Sequence, residues 1–233
     1  MTDTWMALSA AFALGATHAL EVDHMVAVTA FIGAKPRIGP ALSFGIRWGL
    51  GHAVVVFAAG GLLVLTGVSV PGRVTGWAEL GVGVMLIAVG VWAHLATRRL
   101  HVHTPHDHGG HAHLHSHSAR QHPHNHSHVD PIKSHRHLST LVGAVHGLAG
   151  TAPVVALIPV TLMPNAWAAL GYLAAFGVGT IVAMGFYSLL AAVAAARAAP
   201  SVKVARAVAG LTAGASIAVG VWWIFRAVSD LTV

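Results

Sequence analysis

Residues 47–73 read RWGLGHAVVVFAAGGLLVLTGVSVPGR, and between the two flanking arginines there is no Asp, Glu, Lys or Arg. A helix crossing a bilayer needs roughly 20 consecutive apolar residues, so this run is long enough to span a membrane. Similar charge-free runs lie between Arg136 and Arg197 and between Arg206 and Arg226. The first of these is long enough for two spans, with a break at the Pro-rich stretch from Pro159 to Asn165. Composition agrees with this reading. The chain is 55% hydrophobic and 9% charged, with a mean hydropathy of +0.70, where a soluble domain carries about 25% charged residues. A soluble globular protein is thereby excluded. There are no cysteines, which excludes a disulfide scaffold and any thiolate metal site. Hydrocarbon tolerates only helices or closed barrels. Barrel strands alternate apolar and polar residues, whereas these segments are apolar on every side and rich in Ala, Leu and Gly. The expected fold is therefore an all-α membrane protein.

About six transmembrane helices are expected, near 5–33, 40–66, 76–97, 138–161, 166–196 and 204–226. The segment Met1 to Met6 contains Asp3 and no Lys or Arg, a poor signal peptide, so the first span is read as retained. Lys35 and Arg37 follow the first span, Arg98, Arg99, Arg120, Lys133 and Arg136 the third, and Arg197, Lys203 and Arg206 the fifth. The opposite side shows only Arg73 and Arg226. Because positive charge marks the cytoplasmic side, the expected topology is multi-pass in the cell (inner) membrane, with both termini outside and the loop 98–137 in the cytoplasm. The basic residues set topology in a lipid bilayer, and no nucleic-acid partner is expected.

The chain also repeats itself. Gly15-Ala-Thr-His18-Ala-Leu20 resembles Gly143-Ala-Val-His146-Gly-Leu148, and Ile87-Ala-Val-Gly-Val-Trp92 recurs unchanged as Ile217-Ala-Val-Gly-Val-Trp222. Gly49-Leu-Gly-His52 parallels Gly177-Val-Gly-Thr180, and His18 to His52 spans the same 34 residues as His146 to Thr180. Three matches in order, at a nearly constant offset, imply two three-helix repeats. An odd number of spans per repeat inserts the second one upside down, an inverted-repeat design common in transporters whose substrate site lies at mid-membrane. The expected organisation is a first repeat over 1–97, a histidine-rich disordered loop over 98–137 and a second repeat over 138–233.

Within the first span lies His18-Ala-Leu-Glu21-Val-Asp23-His24. Ionisable groups there cost about 2–3 kcal/mol each on insertion scales and by default mark a functional site. The alternative is a wet helix end whose groups merely pair with one another. On an ideal helix, at about 100° per residue, no single face presents His18, Asp23 and His24 together. They converge only if the helix unwinds or bulges between them, which is tolerated where broken helices line a cavity or ion site. Imidazole with carboxylate and no sulfur suits nickel, cobalt, copper or zinc, whereas calcium or magnesium want more oxygens. His52 follows Gly51 in the second span, and His146 occupies the place of His18 in the second repeat. Each alone reads more readily as a packed, hydrogen-bonded histidine than as a ligand. The repeat turns His146 toward the same axis as His18. Thr151 and Ala152 stand where Asp23 and His24 would recur, so one asymmetric site, built mostly from the first repeat, is expected. The candidate metal ligands are His18, Asp23, His24, His52 and His146, with Glu21 as a supporting partner or proton acceptor.

The His18-x4-Asp23-His24 spacing resembles the H-x4-D-H signature of the nickel/cobalt transporter family, which groups permeases with related efflux and urease-accessory membrane proteins. Gly51-His52 and the stretch from His146 to Gly150 resemble family segments too, so the similarity reaches most of the spans. Many permeases of the family have eight spans with the signature in the second; here it falls in the first of about six. The resemblance implies transmembrane transport of Ni2+ or Co2+ as substrate, with His18, Asp23 and His24 required and no resident cofactor. Uptake is the leading reading. Efflux for metal resistance, or an accessory role supplying nickel to a metalloenzyme such as urease, are its alternatives. No nucleotide-binding Gly-x4-Gly-Lys motif is present, so coupling would rest on an ion gradient or the metal's own gradient. The metalloprotease motif His-Glu-x-x-His is also absent, and no enzymatic activity is expected.

Fourteen of the nineteen histidines fall between His101 and His137, in runs such as His111-Ala-His113-Leu-His115-Ser-His117. Such a polar, Gly/Pro-punctuated segment is expected to be disordered without ligand. Clustered imidazoles chelate late transition metals in competition with protons. The loop is expected to buffer, capture or sense metal, and to offer a place for a metallochaperone, rather than to form the translocation site.

Overall fold

The computed structural model describes residues 2–33, 37–68, 71–98, 100–102, 114–116, 136–149, 159–198 and 202–232. Seven helices of more than ten residues appear among them. They are α1 (Thr2–His18), α2 (Val22–Gly33), α3 (Ile38–Thr66), α4 (Gly72–Arg98), α5 (Arg136–His146), α6 (Ala166–Ala198) and α7 (Val202–Thr232). Two three-residue strands, β1 (Leu100–Val102) and β2 (Leu114–Ser116), pair antiparallel with His101 opposite His115. The rest of the histidine-rich loop lies outside the described residues, as does the stretch 150–158 of the expected fourth span.

Helices α3, α4, α6 and α7 are each long and apolar enough to cross a membrane, and α1 with α2, bent by 55° at the break, passes the same test as a pair, as a broken span or a re-entrant loop. Proline is kept to the margins. Pro40 sits in the first turn of α3, where a missing N–H costs nothing, and Pro159 and Pro164 precede α6. The Pro-rich break read from the sequence is where α6 begins, and Asn165 caps it: its side-chain oxygen accepts the Ala168 N–H at 2.9 Å. Helix α3 ends at Gly67, whose φ of 70° lets its N–H return to the Leu63 carbonyl at 2.8 Å.

The helices meet through small residues. Helix α3 packs most extensively on α6, and α4 on α7. A Cβ on Gly15 of α1 would collide with the Phe176 carbonyl of α6, and one on Gly179 of α6 with the Phe12 carbonyl of α1. Likewise Gly143 of α5 lies on the Trp48 carbonyl of α3, and Gly51 of α3 on the Thr140 carbonyl of α5. Backbone contact this close is how helices associate where lipid supplies no hydrophobic drive between them. Between the helices lies a core containing Trp48, Val82, Leu86, Met184 and Trp223. The outward faces are apolar as well: Leu65, Val182, Phe186, Leu211 and Phe225 are all exposed. Apolar surface on this scale suits lipid rather than water. The chain is an all-α, multi-pass membrane protein.

Candidate metal centre

The α1 helix stops at His18. Ala19 to Glu21 form a turn, with the Leu20 N–H returning to the Thr17 carbonyl and the Glu21 N–H to the His18 carbonyl, both at 3.0 Å, before α2 restarts at Val22. This is the interruption that the spacing of His18, Asp23 and His24 demands. Helix α5 ends in the same way at His146, where the Leu148 and Ala149 N–H groups close short turns on Val145 and His146. Two helix C-termini therefore finish at the cluster, the ends of a helix dipole that favour a cation. Asp23 lies in the first turn of α2, the end that favours an anion.

The five candidate ligands come together. His18, Asp23, His24, His52 and His146 are each no more than 6% exposed. Ring centroids lie 4.9 Å apart for His18 and His24, 5.0 Å for His18 and His52, 5.4 Å for His24 and His52, and 4.2 Å for His24 and His146. His146 Nε2 donates to Asp23 Oδ2 at 3.0 Å, and Asp23 Oδ1 lies 3.4 Å from His24 Nδ1. His18 Nδ1 donates to Glu21 Oε1 at 3.0 Å. Glu21 itself is about one-third exposed, so it orients a buried ring from the margin of the site. Four of the five candidate ligands come from residues 1–97 and one from the second half of the chain.

Neither ring nitrogen of His24 or His52, nor Nδ1 of His146, has a hydrogen-bond partner among the described residues. A buried polar atom left unsatisfied costs about 1–3 kcal/mol, so five such nitrogens around one point make a structural packing role a poor explanation of the cluster. The donor atoms gather as His18, His24 and His52, and as Asp23, His24 and His146. Within each triad they lie within 4.8 Å of one another, close enough for a shared metal ion.

Two walls of the site were not singled out in the sequence. The Phe176 ring lies 5.8 Å from that of His18, and the Trp48 ring 5.9 Å from that of His146. The signal was present: Trp48 and Phe176 each stand four residues before His52 and Thr180, the matched positions of the proposed repeats. Thr180 carries no ligand nitrogen. Its hydroxyl is placed to donate to the Gly15 carbonyl at 3.2 Å or the Phe176 carbonyl at 3.1 Å, bracing α1 one turn before its break. A further buried acid, Glu79 of α4, faces the Arg226 guanidinium of α7 at 4.0 Å.

No family model matches the chain, and no solved structure matches it. In sequence it is similar to the urease accessory protein UreH of Bacillus sp. (strain TB-90), with 27% identity over 226 residues that cover 94% of this chain and 90% of that protein.

Proposed function

We propose that this protein carries a divalent transition metal, nickel or cobalt, across the membrane through a mid-membrane site made by His18, Asp23, His24, His52 and His146. The observation that carries this reading is the set of buried, unsatisfied imidazole nitrogens gathered around one carboxylate at a helix break. A cation shed of water would find nitrogen ligands, one formal negative charge and two helix C-termini there. Asp23 supplies charge neutralisation and the histidines supply nitrogen. Glu21 holds His18 in the tautomer that carries the ligating lone pair on Nε2.

The two-repeat reading supports alternating access. Gly15 and Gly143, Gly51 and Gly179, and Trp48 and Phe176 each stand 128 residues apart, and the close approaches of α1 on α6 and of α5 on α3 use these matched positions. Rocking of one three-helix unit on the other would open the buried site to either side in turn. The positive-inside pattern puts the termini outside and the loop 98–137 in the cytoplasm, where its histidines would capture metal and offer a place for a metallochaperone.

Nickel uptake is the direction we favour, with efflux through the same site as the reverse reading. The relative's name supports a second reading, an accessory protein that supplies nickel for urease without itself moving it across the bilayer. Radiolabelled nickel flux into proteoliposomes separates the two. Transport requires accumulation above that of protein-free liposomes, competed by cobalt. Nickel binding with no flux would leave the accessory reading in its place.

A further inference from the structure

We propose that the cluster works as two overlapping three-ligand subsites sharing His24. One is an all-nitrogen subsite of His18, His24 and His52; the other is a carboxylate-bearing subsite of Asp23, His24 and His146. An ion would pass between them. The inference rests on the transport reading and adds how the metal moves within the site.

Three observations carry it. The donors group as two triads that have only His24 in common. His52 and His146, which belong to different triads, are the most widely separated of the ring pairs in contact within the cluster, with centroids 6.4 Å apart. Both nitrogens of His24 are buried without a hydrogen-bond partner among the described residues, and a neutral imidazole carries its lone pair on one of them at a time, so His24 ligates in one subsite or the other. Exchange of its proton between Nδ1 and Nε2 would hand that lone pair from one triad to the other as the remaining ligands change.

The two subsites differ in charge, and that difference gives the passage its physical sense. The triad of imidazoles is neutral and leaves a divalent ion uncompensated. The Asp23 triad removes one unit of that charge in a medium where unpaired charge is costly. The Asp23 subsite is therefore the deeper resting place and the imidazole triad the shallower transit position. Two ions held side by side against one carboxylate would repel strongly, so the subsites are occupied one at a time. Phe176 closes the side of His18 and Trp48 the side of His146, so each subsite has its own aromatic wall.

Cobalt(II) is a suitable probe because its visible spectrum reports its ligands. The full-length chain in detergent is titrated with Co2+ alongside two double variants, His18→Ala/His52→Ala and Asp23→Asn/His146→Ala. The spectrum of a chain with all five ligands replaced is subtracted to remove binding by the histidine-rich loop. Each double variant is expected to keep one difference band, distinct from the other's, with affinity weakened by more than about tenfold, since even loss of a supporting partner costs 10–100-fold. The wild-type spectrum is expected to match that of His18→Ala/His52→Ala more closely. If both double variants lose their difference band while eluting like wild type, or give the same band, the five residues form one indivisible centre and the proposal fails. Where a double variant does not purify, His52→Ala and His146→Ala replace it: different spectra support two subsites, and one shared spectrum overturns them. Flux is read separately. Two subsites in a protein that moves no nickel would defeat the transport reading alone.

Discussion

His18 is the residue whose orientation is most explicitly set. Its Nδ1–H is committed to Glu21 at 3.0 Å, so in the proposed site Nε2 is the nitrogen that would ligate. The pairing of a ligating imidazole with a carboxylate fixes tautomer and ring angle, and its loss typically weakens metal binding 10–100-fold. Glu21→Ala is therefore expected to raise the nickel concentration for half-maximal flux by about 10–100-fold with the fold intact. Glu21→Gln keeps an oxygen that accepts the same N–H and is expected to retain most of the affinity. A concentration series in proteoliposomes reads both, and equal losses in the two variants would mean that the charge of Glu21, rather than its hydrogen bond, is what matters. His18, Asp23 and His24 were legible in the sequence because ionisable residues stand out in an apolar run. Phe176 and Trp48 were not, because an aromatic ring in a membrane helix is ordinary and only its neighbours make it a wall.

At the scale of elements, the helix break and the glycine crossings decide where the ligands stand. The break at Ala19 to Glu21 followed from helical periodicity alone: three ligands on different faces can meet only if the helix stops. The crossings did not follow. Glycine is abundant throughout the chain, and although the repeat matches Gly15 with Gly143, it does not say that Gly15 lies against the Phe176 carbonyl while Gly214 has nothing within 4 Å of its Cβ position. The structure makes that distinction testable. Gly15→Ala and Gly143→Ala each push a methyl into a backbone carbonyl that cannot turn away, and are expected to destabilise by about 1–3 kcal/mol or more. Gly210→Ala and Gly214→Ala meet open space and are expected to change stability by less than about 1 kcal/mol. Thermal unfolding in detergent ranks the four; equal melting temperatures would contradict the close packing of α1 on α6 and of α5 on α3.

For the whole molecule, the charge-free runs specified an all-α membrane fold, and four long helices with one bent pair are what the described residues contain. The histidine-rich segment is conspicuous in sequence, yet the five buried candidate ligands found among the described residues all lie outside it. That separation argues for an accessory role. Deleting 101–137 is expected to lower metal capture at limiting nickel while leaving flux at saturating nickel. The loop's own contribution is expected to fade as the pH falls through about 6.5, where an ordinary imidazole gains a proton and loses its ligating lone pair. Complete loss of flux in a normally folded deletion would assign the loop to the pathway instead. The central claim, that metal crosses through the buried cluster, is tested most directly by nickel flux into proteoliposomes for wild type, Asp23→Asn and His24→Ala side by side. One unpaired unit charge at the centre of a membrane helix costs about 2.5–3.5 kcal/mol, so removing the Asp23 charge in Asp23→Asn is expected to lower flux roughly a hundredfold at limiting nickel, and His24→Ala at least as much. Wild-type flux in both variants would contradict the account.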